Sequence, residues 1–184
     1  MRTAALSAVL VLLLVVPAAA QTREARGTVV GVVGAGRTWD DEGSLGSGVG
    51  VGAAVEWRLF GNTRVELAGG VLTHDRDSGF FKASGRTALV TGAVVQRFGR
   101  ATVQPYVLLG VALARHTGEV AFGDGLAQRR RSLDAGGVVG GGLAIRINER
   151  LEVGPDVRLF SLVPENSIDP ASAYMIGLRV GYRF

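Results

Sequence analysis

Apolar residues recur at every second position along most of the chain after residue 26, and turn-forming residues interrupt this alternation at intervals. A period of two is the pattern of β-strands, because successive side chains point to opposite faces of a sheet. Each predicted strand is about 11–15 residues long, and a tilted membrane strand needs about 9–11. The alternation predicts eight strands: residues 27–39, 47–60, 64–74, 86–98, 102–116, 133–147, 151–162 and 174–184.

The predicted connections are of two kinds. Three are tight turns: Gly61-Asn62-Thr63, Gly99-Arg100-Ala101 and Asn148-Glu149-Arg150. Four are longer, polar loops: residues 40–46, 75–85, 117–132 and 163–173. Short turns at one end and long loops at the other are typical of up-and-down barrels that span a membrane.

The last predicted strand separates two kinds of face. One face is apolar: Tyr174, Ile176, Leu178, Val180, Tyr182 and Phe184. The other carries glycine and arginine: Met175, Gly177, Arg179, Gly181 and Arg183. The second and seventh strands alternate in the same way, which predicts lipid outside the barrel and a filled polar lumen inside. Pro105 and Pro155 fit these strands poorly, because proline donates no ladder hydrogen bond.

The inward-facing charges are of both signs, and charges in a narrow lumen need partners. We predict a lumen salt-bridge network from seven residues: Arg58, Glu66, Arg146, Glu152, Asp156, Arg179 and Arg183. A single register of the last hairpin pairs Glu152 with Arg183 and Asp156 with Arg179. Such a network makes the lumen a plug and not a wide pore.

Two further pairs follow from the tight turns. Across one turn Arg146 faces Glu152, and across another Arg58 faces Glu66. The alternative is that barrel shear moves each pair by two residues, which would preserve the network and change the partners.

The aromatic residues cluster at the predicted strand ends, as in the interfacial girdles of membrane barrels. Near the short-turn end lie Trp57, Phe98, Tyr106, Tyr182 and Phe184. Near the long-loop end lie Trp39, Phe160 and Tyr174.

The N-terminus has the pattern of a cleaved export signal. Arg2 precedes an apolar stretch over residues 8–16, and Ala18-Ala19-Ala20 forms a small-residue cleavage site before Gln21. We therefore predict a signal peptide at residues 1–20 and a mature barrel domain at residues 21–184.

Composition excludes several classes of function. Of the 184 residues, 47% are hydrophobic and 20% charged, and no later stretch is apolar for long enough to form a spanning helix. Cysteine is absent, which excludes disulfides and thiolate metal sites. The net charge is +4, without a basic face interleaved with aromatics, so we expect no nucleic-acid partner. No motif indicates a cofactor or a metal.

The chain ends with a terminal phenylalanine preceded by apolar residues at every second position. Leu178, Val180, Tyr182 and Phe184 resemble the assembly signal that the barrel insertion machinery reads. With the strand count and loop asymmetry, the chain resembles the small eight-stranded outer-membrane barrels of the OmpA, OmpX and OmpW kind, and residues 104–110 resemble their fifth strand. The resemblance implies an all-β, antiparallel up-and-down barrel, monomeric, in a Gram-negative outer membrane.

This resemblance leaves the function open. The first hypothesis is a non-enzymatic structural or surface-interaction protein that acts through its loops. Arg129, Arg130 and Arg131 in the longest loop are candidates to bind lipopolysaccharide phosphates, although a solvated basic turn explains them as well. The second hypothesis is a narrow channel for small or hydrophobic solutes, as in the OmpW-like barrels.

Two other hypotheses are weaker. An enzyme acting on envelope lipid would use His116 and Asp134, expected to face each other at the outer rim, with Ser132 or Thr117 nearby. The His-x-Ser-Asn run of barrels that deacylate lipid A is absent. A soluble barrel of the lipocalin type would need a polar exterior, which the outward rows lack.

Overall fold

The structure, a computed structural model, describes residues 26–40, 43–77, 81–99, 101–122, 126–164 and 171–184. The predicted signal peptide lies outside these residues. The strands are β1 (Gly27–Asp40), β2 (Gly43–Phe60), β3 (Thr63–Asp77), β4 (Phe81–Arg97), β5 (Val103–Phe122), β6 (Leu126–Arg146), β7 (Leu151–Pro164) and β8 (Ala171–Arg183).

The eight strands form a closed barrel in which each strand pairs antiparallel with its neighbours in sequence. β1 and β8 close the barrel from Thr28 opposite Arg183 to Trp39 opposite Ser172. Just beyond this pairing, Gly27 and Phe184 exchange two backbone hydrogen bonds of 3.1 and 3.0 Å. The predicted strand count and topology are therefore confirmed.

The strands are longer than predicted at one end. β5 continues to Phe122 and β6 begins at Leu126, so most of the predicted loop 117–132 is a paired hairpin. The polar composition of this segment indicated contact with water. It did not indicate a loss of strand structure, because the backbone hydrogen bonds of a ladder do not need apolar side chains. A strand of this length rises about 50 Å at the usual tilt, roughly twice the height of the lipid-facing band.

The two tight turns that the structure describes in full lie where the sequence placed them, whereas Arg100 of the third lies outside the described residues. Gly61 has a φ of +52°, in the left-handed region that a two-residue hairpin turn requires. In the last tight turn, the Asn148 Oδ1 accepts backbone hydrogen bonds from Arg150 and Leu151 at 2.9 and 2.8 Å. Side-chain acceptance of this kind fixes the turn locally.

The outer face of the barrel is apolar. The outward rows of β2, β7 and β8 are those predicted, and residues such as Val49, Leu159 and Ile176 are about half exposed on the bare barrel. Pro105 and Pro155 also point outward within their strands. No helix in the described part of the chain is long and apolar enough to cross a membrane.

The inner face is buried and divides into layers along the barrel. Charged side chains fill the half nearer the short turns, and an apolar layer lies above them. Eight strands enclose a lumen just wide enough for side chains, so these layers occupy the interior. Following the usual orientation, the short turns are periplasmic and the long strand ends extracellular.

Candidate functional site: the lumen and the extracellular rim

The lower charged cluster is built around two buried glutamates, Glu56 of β2 and Glu152 of β7. The Arg97 guanidinium donates to Glu56 at 2.7 Å and to both oxygens of Glu152 at 2.6 and 2.8 Å. Arg179 also donates to both glutamates, at 2.7 and 2.9 Å. Arg64 lies 3.6 Å from Glu56. Each carboxylate is thus neutralised by arginines from other strands, as burial requires.

A second cluster lies around Arg158, in the middle of the lumen. Its guanidinium donates to both oxygens of Glu66, at 2.7 and 3.2 Å. It also donates through Nε and Nη2 to Asp156, at 2.8 and 3.2 Å. Fork-shaped contacts of this kind are the strongest that arginine makes with carboxylates.

Tyr106 joins the two clusters. Its hydroxyl donates to Asp156 at 2.5 Å, and its ring lies 4.7 Å from the guanidinium carbon of Arg179. Among the described residues, four arginines and four carboxylates make these buried ion pairs, so their charges balance: Arg64, Arg97, Arg158, Arg179, Glu56, Glu66, Glu152 and Asp156. The contacts span the lumen from wall to wall.

The predicted pairs in the last hairpin are wrong. β7 and β8 pair with Glu152 opposite Gly181 and Asp156 opposite Gly177, two residues away from the predicted register. Glu152 bonds Arg97 and Arg179, and Asp156 bonds Arg158. A slip of two keeps every side chain on its face, so alternation alone does not distinguish the two registers.

The predicted pair Arg58–Glu66 is also wrong, for the same reason. The register sets Glu56 opposite Glu66 and Arg58 opposite Arg64, with like charges facing each other. Such pairs destabilise a sheet locally. Here the facing carboxylates are paired with arginines from other strands, and Glu66 is paired with Arg158.

Three further predicted network residues lie half-buried near the periplasmic mouth: Arg58, Arg146 and Arg183. Arg146 does lie opposite Glu152, as predicted. The Glu152 carboxylate nevertheless bonds Arg97 and Arg179 in the lower cluster.

Sequence reasoning missed five members of the network: Glu56, Arg64, Arg97, Arg158 and Tyr106. Arg64 and Arg158 share a face with Glu66 and Asp156 at a spacing of two, and that signal was sufficient to include them. Arg97 ends a glycine- and valine-rich strand whose faces the sequence does not distinguish.

An apolar layer closes the lumen above Arg158. Its members include Leu108, Val138, Phe160 and Leu162, all nearly or fully buried. A cavity of about 40 Å³ remains beside the small residues of β2 and β3, bordered by Leu72, Phe160 and Met175 among others. It has room for no more than a few water-sized molecules.

The two predicted aromatic girdles need one correction at each end. Trp57 and Phe98 face outward near the periplasmic end. Trp39 packs against Tyr174 near the other end, with ring centroids 5.7 Å apart. Tyr106 and Phe160, however, point into the lumen and are 2% and 5% exposed. In β5 and β7 the even-numbered residues face the lumen. The alternation of faces along a strand therefore fixes the direction of these two side chains, and their nearness to a strand end does not.

A small polar cluster lies at the extracellular end of the lumen. His116 Nε2 lies 2.9 Å from Asp134 Oδ2, so the expected contact is present, but it is diagonal: the ladder sets His116 opposite Ser132 and Asp134 opposite Ala114. The hydroxyl at the other ring nitrogen belongs to Thr87, 2.7 Å from Nδ1, and not to Ser132 or Thr117. Thr87 is 1% exposed. The described residues contain no group of three or more side chains suited to hold a metal ion.

The arginine run assigned to a loop lies in β6. Residues 129–131 are paired with residues 117–119 of β5. The side chains of Arg129 and Arg130 lie outside the described residues, whereas Arg131 is exposed.

The residues of the predicted assembly signal line the outer face of β8. Leu178 and Val180 are exposed, whereas Tyr182 and Phe184 are half-buried. Their role in insertion stays a prediction.

This fold and this filled lumen define a small integral outer-membrane barrel. The chain belongs to the outer membrane protein β-barrel domain family, whose profile matches residues 6–184. No curated protein matches it.

Several solved structures share the fold at low identity. Neisserial surface protein A is 14% identical with a TM-score of 0.62, over 86% of this chain and 97% of that one. Ail of Yersinia pestis, in complex with the heparin analogue sucrose octasulfate, is 16% identical with a TM-score of 0.57, over 88% and 100%. OprG of Pseudomonas aeruginosa is 17% identical with a TM-score of 0.51, over 88% and 97%.

Proposed function

We propose that this protein is a non-conducting, non-enzymatic outer-membrane barrel that acts through its extracellular surface. The main support is the contact between Arg158 and Glu66, which joins opposite walls of the lumen. The lower charged cluster lies on one side of this bridge and the apolar layer on the other. An ion crossing the barrel would have to break paired charges and then enter an apolar layer, and each step is costly.

Planar bilayer recording tests this proposal. We expect the wild-type barrel to give no steady conductance steps. The triple variant Glu66→Ala/Asp156→Ala/Arg158→Ala removes the middle cluster and should admit water and transient currents. A matched variant on the lipid-facing row, Val157→Ala/Leu159→Ala, should remain silent. Steady conductance of the wild-type barrel would contradict the proposal.

A narrow path for hydrophobic solutes is the second candidate, and the apolar cavity beside Leu72 and Met175 is the observation that favours it. The cavity of about 40 Å³ is far smaller than a ligand pocket of about 300–1,000 Å³. Solute flux into vesicles that carry the wild-type barrel, above that of empty vesicles, would favour this candidate over the sealed barrel.

The absence of enzyme activity is likewise part of the proposal. The arrangement of Thr87, His116 and Asp134 contains the residue types of a hydrolytic triad. The hydroxyl is buried, however, and a nucleophile has to reach the bond it attacks. We expect no release of fatty acid from labelled lipid A by the wild-type protein. Release that His116→Ala abolishes would contradict the proposal.

A further inference from the structure

Three exposed arginines on neighbouring strands lie together on the outer face of the barrel. The register aligns Arg86 of β4, Thr117 of β5 and Arg131 of β6 in one row. Arg115 precedes Thr117 by two residues and so shares its face. Adjacent strands are about 4.8 Å apart and alternate residues about 7 Å. All three arginines therefore start within about 7 Å of Thr117.

These guanidiniums lie where the apolar outer band ends. On β5 the outward row is apolar from Val103 to Leu113, and the next outward residue is Arg115. That row rises about 25 Å at the usual strand tilt, which matches the height of a lipid-facing band. On β6, Leu133 lies opposite Arg115, and Arg131 is the next outward residue toward the extracellular end. The arginines thus begin at the depth of the lipid headgroups.

On the side formed by β1 and β8, a single exposed arginine of the described residues, Arg37, lies opposite Tyr174. There Trp39 and Tyr174 pack together as an aromatic girdle. In the part of the chain that the structure describes, Arg86, Arg115 and Arg131 make no ion pair or hydrogen bond with another side chain. With no carboxylate of the described residues within ion-pair distance, the three exposed guanidiniums have forked donors that an external anion can accept from.

We propose that Arg86, Arg115 and Arg131 form a binding surface for the phosphates of lipid A in the outer leaflet. Two observations select this occupant. The surface faces sideways into the membrane interface, where a lipid headgroup lies, and its charge complements phosphate. Thr117 supplies a hydroxyl in the middle of the surface. This binding surface gives the proposed surface role a specific ligand, and it rests on the extracellular orientation of the long strand ends. It does not depend on whether the lumen is sealed.

Native mass spectrometry of the refolded chain in detergent tests the surface, with diphosphoryl lipid A as the probe. We expect Arg115→Gln/Arg131→Gln to weaken binding about tenfold or more, because two charge-assisted contacts are lost. The matched control Arg26→Gln/Arg150→Gln removes the same charge at the periplasmic end and should change binding less than about twofold. Arg115→Lys/Arg131→Lys should fall between the two, since lysine keeps the charge and loses the fork.

Several outcomes would overturn the proposal: equal losses in both glutamine variants, no loss in either, or equal wild-type binding of dephosphorylated lipid A. Displacement of lipid A by millimolar inorganic phosphate would identify a free-anion site instead. A heat-dependent gel shift shows that each variant is folded. Conductance is recorded on the same samples, so failure of this surface and failure of the sealed lumen are distinguishable.

Discussion

Arg158 and Glu66 lie 92 positions apart in the sequence, yet the Arg158 Nη1 donates to the Glu66 Oε1 at 2.7 Å. Their strands, β7 and β3, are separated by three strands in either direction around the barrel. The ion pair therefore crosses the whole lumen. It connects walls that no backbone ladder joins, and it makes the interior a single interlocked unit.

Breaking this bridge from one side should be costly. In the Glu66→Ala variant the buried Arg158 guanidinium still pairs with Asp156. It loses its contact with the second carboxylate, that of residue 66. We expect the free energy of unfolding in detergent or lipid to fall by about 3–5 kcal/mol, as for other one-sided losses from buried pairs. Urea titration measures this.

The triple variant Glu66→Leu/Asp156→Asn/Arg158→Met tests whether the loss comes from the unpaired charge, because it also removes the Asp156 carboxylate that Arg158 neutralises. It should recover much of the stability, because apolar groups of similar volume often replace a buried pair at little cost. If Glu66→Ala unfolds within about 0.5 kcal/mol of the wild type, the bridge does not contribute as described.

Tyr106→Phe should isolate the hydroxyl contact between the two charged clusters. The substitution removes the donor to Asp156 and keeps the ring under Arg179. The expected loss is about 1–3 kcal/mol in unfolding free energy. Tyr182→Phe is the control: the Tyr182 hydroxyl accepts an exposed hydrogen bond from Arg150 at 3.3 Å, so its loss should be nearly neutral. Equal effects of the two substitutions would argue against a special role for Tyr106.

Phe160→Ala should weaken the apolar layer that closes the lumen. The side chain is almost completely buried beside the existing cavity, so its loss enlarges that cavity. Large-to-small changes of this kind cost about 3–5 kcal/mol. The variant should also show raised water permeability in vesicles. Leu159→Ala, on the lipid-facing row of the same strand, should leave permeability unchanged, and a parallel rise in both variants would refute the assignment.

Two glycines should respond oppositely to alanine. At Gly154 an added Cβ would lie 1.8 Å from the backbone oxygen of Leu143, so the strands would have to separate. We expect a loss of about 1–3 kcal/mol or failure to refold. At Gly92 an added Cβ meets nothing within 4 Å, and the substitution should be tolerated. Refolding yield on unboiled gels measures both, and normal yield from Gly154→Ala would contradict this reading of the ladder.

The sequence by itself determined the strand count, the up-and-down order, the tight turns and which face of β2, β7 and β8 meets lipid. These features are local. A period of two, a turn residue such as Gly61 and an apolar row each follow from neighbours in the chain.

The tertiary structure alone decided the partners. Locally, Glu56 opposite Glu66 looks repulsive, and only Arg158, Arg97 and Arg179 from other walls make that register stable. Likewise, Arg86, Arg115 and Arg131 have no spacing that links them until the ladder sets their strands side by side. Register and closure fix which side chains share a height in the barrel, and a slip of two residues leaves the sequence pattern unchanged.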